Sequence, residues 1–114
     1  MSASCLFCKI AQGELDADTL YQSNDVMAFR DINPVAPTHV LVIPRQHIES
    51  ANELGRAHAA VLGEMLEVIA SLAEQERVQG GYRIVSNVGR DAGQSVSHVH
   101  FHLIGGRQMA WPPG

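Results

Sequence analysis

The chain has 114 residues, 46% of them hydrophobic and 18% charged, which suits one globular domain over residues 1–114 and excludes a disordered or fibrous chain. Its formal net charge of −4, with the basic residues scattered, leaves no footprint for a nucleic-acid backbone or an anionic membrane, so a small-molecule partner is expected. No apolar run approaches the roughly 20 residues that cross a bilayer, and Met1–Cys8 shows no charged start followed by a long apolar stretch, so a cytoplasmic location is expected.

In chain order, Cys5–Gln12 (CLFCKIAQ) spaces Leu6, Phe7, Ile10 and Ala11 as a short helix does, and Gly13 is a plausible stop. Its two cysteines, Cys5 and Cys8, are the only ones in the chain and stand too close to staple a fold, so they read as thiols or metal ligands. Thr19–Gln22 and Val26–Arg30 are β-rich runs around Ser23-Asn24-Asp25, which predicts a hairpin. Pro34 and Pro37 make Asp31–Thr38 an ordered loop. His39–Pro44 (HVLVIP) is nearly all apolar and β-branched, as in a central strand buried on both faces.

Ser50 and Glu53 have capping-box spacing, and Leu54, His58, Val61, Met65, Val68, Ile69 and Leu72 recur at threes and fours, predicting one amphipathic helix over about residues 51–77. Gln79-Gly80-Gly81 break it. Tyr82–Asn87 and Ser97–Ile104 then supply two strands around a Gly-rich polar loop, Val88–Val96. The expected fold is α+β: a five-stranded, mainly antiparallel sheet with one long and one short helix covering one face. The tail Trp111-Pro112-Pro113-Gly114 cannot be helical and, in a lone protomer, would leave Trp111 exposed.

Half of the six histidines fall in SHVHFHLI, where strand alternation sends His98, His100 and His102 to one side and Val99, Phe101 and Leu103 to the other. Neighbouring members of the row stand about 6.6 Å apart by strand rise, so one ligand can touch two of them. Three catalytic-metal ligands, a nucleophile with helpers, or a pH switch would all use such a row; a polar face of satisfied histidines is the structural alternative. The closest preceding acid is Asp91, which leaves a metal-bound water without a nearby base and favours a nucleophilic imidazole attacking phosphorus. Small residues and a hydroxyl in Gly89–Ser95 (GRDAGQS) suit a loop whose N–H groups and Ser95 surround phosphate oxygens.

His-Val-His-Phe-His-Leu-Ile resembles the signature of the histidine-triad (HIT) superfamily, and VAPTHVLVIPRQHI, NVGRDAGQSVSHVH and the ending GGRQMAWPPG extend the resemblance to its HINT branch over nearly the whole chain. The resemblance implies hydrolysis of purine nucleoside 5′-phosphoramidates to the nucleoside monophosphate and an amine through a nucleotidyl-histidine. Its nearest alternatives are a dinucleoside polyphosphate hydrolase of the same superfamily and a non-catalytic nucleotide-binding scaffold. His100 matches the family nucleophile and His102 a phosphate partner. Ser95, with Gly93 and Gln94, matches the phosphate loop, and Asn87 another phosphate-side contact. Asp31 matches a ribose ligand, where a carboxylate can accept from two vicinal hydroxyls. Phe29 and Ile32 match the base pocket, and His39 a histidine that tunes proton transfer.

The same resemblance implies a two-fold homodimer with paired long helices and joined sheets, the tail and Trp111 lying near the partner's site. Cys5-Leu6-Phe7-Cys8 departs from the zinc-free pattern of that branch and resembles a bacterial variant. In zinc-bearing relatives of that kind the ligands correspond to Cys5, Cys8, His47 and His98, a structural Cys2His2 site closed to substrate. Zinc on His98 would then anchor the strand that carries His100.

Overall fold

The computed structural model describes residues 4–114; the first three residues of the 1–114 domain, and with them the start of the Met1–Cys8 stretch, lie outside the described residues. Cys5 caps the first helix, α1 (Leu6–Ala11), its Sγ accepting from the Cys8 backbone N–H at 3.4 Å. Gly13, at φ +80°, ends the turn in the left-handed region that glycine enters without steric cost, as its sequence position predicted. Arg45 fastens this helix to the sheet, donating from Nη1 to the Ala11 carbonyl and from Nε to the Ser23 carbonyl, both at 2.6 Å.

Among the described residues five strands follow: β1 (Thr19–Gln22), β2 (Val26–Arg30), β3 (Thr38–Pro44), β4 (Tyr82–Val85) and β5 (Phe101–Gly105). They lie in the order β1-β2-β3-β5-β4, and every neighbouring pair is antiparallel, which is the expected α+β architecture. Two strands are shorter than predicted. β5 joins the ladder only at Phe101, opposite Val42, because β3 then runs into Pro44, which has no N–H to give, and the Val99 N–H instead donates to the Ile48 carbonyl at 2.6 Å. β4 stops at Val85, opposite His102, and the chain turns away through Gly89 at φ +82°.

The helix expected from residue 51 starts eight residues later. Ser50 does cap, its Oγ accepting from the Asn52 N–H at 3.2 Å, but it opens only a 3-10 turn, Ala51–Glu53. Leu54 and Gly55 are extended, a second 3-10 turn covers Arg56–His58, and α2 proper is Ala59–Gln75. Gly55 is the physical cause: a glycine has the most backbone freedom to lose inside a helix, and here it takes an extended conformation. At the far end the Val78 N–H donates to the Ala73 carbonyl and Arg77 N–H to the Glu74 carbonyl, a Schellman closure with Arg77 at φ +61° in the place usually held by glycine.

The two helices cover opposite faces of the sheet, correcting the expectation of one covered face. Val26, Ala28, Val40, Val42 and Leu103 pack against Met65, Val68, Ile69, Leu72 and Ala73 of α2. The intervening residues Met27, Phe29, Leu41 and Ile43 point the other way and pack against Phe7, Cys8 and Ile10 of α1. Because β2 and β3 are apolar at both parities, each face needs its own cover. His39 and His102, at the parity of Leu41, and with them the rest of the histidine row, lie on the α1 face.

Candidate active site and metal centre

The six imidazoles are chemically alike until their main-chain partners are considered. A carbonyl oxygen only accepts and a backbone N–H only donates, so either one fixes which ring nitrogen carries the proton. His98 Nε2 sits 2.8 Å from the Pro44 carbonyl, so Nε2 holds the proton and Nδ1 presents a lone pair. That lone pair faces Cys5 Sγ at 3.4 Å and Cys8 Sγ at 3.6 Å, while His47 Nδ1 lies 3.2 Å from Cys8 Sγ. The four ligand atoms of Cys5, Cys8, His47 and His98 all fall within 4.8 Å of one another. Typical zinc–sulfur and zinc–nitrogen bonds at a tetrahedral angle separate S from N by about 3.6 Å. The donor set and spacing therefore fit a closed Cys2His2 zinc site, the four residues that the resemblance singled out.

His100 Nδ1 donates to the His98 carbonyl at 2.8 Å, which leaves the lone pair on Nε2. The ring is buried yet borders a cavity of about 390 Å3. His39 is held the opposite way round: the Val35 N–H donates to its Nδ1 at 3.1 Å, so its proton is on Nε2. From there it donates to His102 Nδ1 at 2.9 Å, with Asp31 Oδ2 at 3.4 Å beside it. His102 consequently carries its own proton on Nε2.

Burial pushes the His39 imidazole below the ordinary 6.5 despite the attraction of Asp31. Burial, then the fields of His100 and His39, push His102 down to about 4. Both rings are neutral at neutral pH, so Asp31 meets a neutral N–H donor rather than an ion-pair partner. Asp31, His39 and His102 also bring three possible ligand atoms within 4.8 Å. A metal on His39 Nε2, however, would require its proton on Nδ1, where the Val35 N–H already points; this trio suits proton handling better than metal binding.

The cavity has an apolar wall of Leu6, Phe7, Ile10, Phe29 and Leu41 and a polar end of Asp31, Ser95, His100 and His102. A larger cavity of about 640 Å3 lies by Arg77, Arg83 and Arg107, but no histidine, cysteine or acid borders it. Of the residues singled out in sequence, Phe29, Asp31, Ile32, Ser95, His100 and His102 line the smaller cavity, with Ile32 91% exposed at its rim. His39 stands behind His102.

Asn87, Gly93 and Gln94 do not border that cavity. Gln94 is a strut instead: its Oε1 accepts from the Gly89 N–H at 2.9 Å, and its Nε2 donates to the Glu49 and Val96 carbonyls at 2.8 and 3.0 Å. Trp111 is 86% exposed, in a tail held where Arg83 donates to the Ala110 and Pro113 carbonyls. Sequence reading missed Leu6, Phe7 and Ile10 as cavity wall, having used them only as helix periodicity. Their signal was a six-residue helix apolar at nearly every position, more than one buried stripe requires.

Residues 12–109 match the HIT domain family. The chain belongs to the HIT family. This HIT domain is 44% identical over 110 residues to the purine nucleoside phosphoramidase of Escherichia coli, covering 96% of this chain and 92% of that protein. It is 46% identical over 112 residues to a 14 kDa zinc-binding protein of Zea mays, covering 96% and 87% of the two chains. Among solved structures, a HIT family hydrolase from Legionella pneumophila superimposes with a TM-score of 0.94 at 48% identity, covering 97% of this chain and all of that one.

Proposed function

We propose that this HIT domain hydrolyses purine nucleoside 5′-phosphoramidates to the nucleoside monophosphate and an amine. One observation carries the reading: the His100 Nδ1–H bond to the His98 carbonyl leaves an Nε2 lone pair at a cavity with an apolar wall and a polar end. The name of the Escherichia coli relative, a purine nucleoside phosphoramidase, supports the same chemistry, and that of the Legionella relative, a HIT family hydrolase, supports hydrolysis.

In the proposed reaction the base lies against Phe29 and the apolar wall, and Asp31 accepts from the ribose hydroxyls. His100 Nε2 attacks the α-phosphorus; a P–N bond to the ring forms as the P–N bond to the amine breaks. The departing nitrogen takes its proton from the Ser95 hydroxyl and His102 Nε2–H, both bordering the cavity, and the water that later attacks returns that proton to them, while His39 holds His102 in this tautomer from behind. Of the loop Gly89–Ser95 only Ser95 borders the cavity, so its N–H is the proposed main-chain donor to the phosphoryl oxygens. Water then displaces His100 from phosphorus and releases the monophosphate. Cys5, Cys8, His47 and His98 would hold zinc, whose contribution is structural: it fixes the segment from which His100 projects.

A homodimer belongs to the same proposal. Leu66 on α2 and Ile84 on the edge strand β4 are 47% and 46% exposed, apolar surface that a two-fold partner would cover, and Trp111 would gain cover from the same partner. A cytoplasmic location is proposed as well; no helix among the described residues is long and apolar enough to cross a membrane.

The test is brief mixing with adenosine 5′-phosphoramidate, acid quench and peptide mass spectrometry. A nucleotidyl group on the peptide containing His100 is expected. Turnover of the substrate with no adduct, or an adduct on another residue, would refute the assignment of nucleophile.

A further inference from the structure

Helix α1 is only six residues long, too short to hold itself together in water, so its position depends on what it is tied to. Its last carbonyl is tied to Arg45. Its first turn is tied by Cys5 and Cys8 to His47 and His98. Between those two cysteines stands Phe7, 4% exposed, which touches both halves of the site. Its ring meets His98 edge-on at 5.9 Å and 77°, His100 at 5.0 Å and 85°, and Phe29 at 5.6 Å and 70°.

A second observation points the same way. Leu6, Ser95 and Val96 border the nucleotide cavity on one side and, on the other, a cleft of about 470 Å3 that opens beside Cys5 and His47. The four-ligand cluster and the cavity thus share a wall, to which α1 supplies Leu6 and, through its contacts with His98 and His100, Phe7.

We infer that Phe7 is a positioning residue through which metal on Cys5, Cys8, His47 and His98 and a nucleotide in the cavity strengthen each other's binding. With the four ligands clamped, Phe7 is fixed against the His100 ring and against Phe29, so the cavity is formed before the nucleotide arrives. Without the clamp, the nucleotide must itself order α1, and that ordering cost weakens its binding. Linkage makes the effect reciprocal: a nucleotide tightens metal binding by the same factor by which metal tightens nucleotide binding. The inference rests on the proposed function for its choice of ligand.

The experiment measures AMP affinity by calorimetry on the zinc-loaded and the chelated protein. In parallel, zinc affinity is measured by competition with a chromophoric chelator, with and without saturating AMP. The second arm approaches the same equilibrium from loaded protein, so no isolated chelated form has to be prepared. Both arms are expected to give the same factor, roughly fivefold or more. In Phe7→Leu, which keeps an apolar side chain in the helix, zinc stoichiometry is retained and the factor falls toward one.

A factor of one in the wild type, with AMP bound equally in both metal states, would overturn the coupling and leave the proposed function intact. A Phe7→Leu variant that weakens AMP equally in both states, keeping the factor, would show Phe7 to be mere packing and overturn its role. Absence of AMP binding to either form would overturn the proposed function and this inference together.

Discussion

On one face of the sheet Val26, Val40, Val42 and Leu103 meet Met65, Val68, Ile69 and Leu72, a buried cluster of hydrocarbon and thioether groups alone. On the other, Phe29, Leu41 and Ile43 meet a single short helix, and the same layer buries two thiols and the rings of His39, His98 and His100. Strand alternation delivers both faces from the same residues of β2 and β3. They differ in what completes them: a long helix suffices for the first, whereas the second needs every polar atom partnered. Among the described residues no buried side-chain nitrogen or oxygen lacks a hydrogen-bond partner. The lesson is that one face is packed for stability and the other holds the candidate site, and substitutions should separate the two.

The sharpest separation is expected at His100. His100→Asn keeps a side-chain N–H for the His98 carbonyl but has no nucleophilic lone pair, so phosphoramidate turnover should fall by roughly a thousandfold or more with the thermal midpoint nearly unchanged. A variant that unfolded instead would show the chemical face to be bearing stability. The converse test is Ile69→Ala at the fully buried centre of the α2 face, where a loss of about 2–5 kcal/mol in urea unfolding is expected with kcat per folded molecule unchanged. A large fall in kcat there would mean the two faces are mechanically joined.

A smaller effect is expected from acid. His39 and His102 are held below 6.5, His102 at about 4, so the unfolded chain takes up protons that the folded chain refuses. Stability on this account is complete above about pH 6.5 and is lost as the pH falls from 6.5 toward about 4. Urea midpoints across that window should decline in the wild type and decline less steeply in His102→Asn; parallel slopes would remove His102 as a cause.

Legibility in the sequence followed the same division. Periodicity located both helices, the hairpin, the central strand and the shared face of the three histidines, because burial writes itself at every second or every third and fourth residue. It failed at Gly55, where a strong amphipathic pattern hid an extended glycine, and at Ser97–His100, where an alternating run continues past the point at which its partner strand leaves. Of the site, the histidine row, Ser95 and the two cysteines were legible as residue types, whereas Asp31, His47 and the division of roles within the row came only with the family resemblance. What could not be read was the partner of each nitrogen. Gln94, which resembles a phosphate ligand by position, is a strut because of carbonyls at Glu49 and Val96 that no local pattern announces. The wall formed by Leu6, Phe7 and Ile10 was hidden for a similar reason: the strands it serves are distant in the chain.

Main-chain tethering of the imidazoles has a consequence for anyone wishing to transplant this chemistry. Pro44 C=O, His98 C=O and Val35 N–H place the ring proton of three identical side chains on Nε2, Nδ1 and Nε2, the distinction on which their proposed roles as ligand, nucleophile and proton carrier rest. Grafting histidines at the same spacing onto another scaffold would copy the letters without the grammar, since an untethered imidazole exchanges tautomers freely. The transferable unit is the set of histidines together with the backbone atoms that choose among their nitrogens.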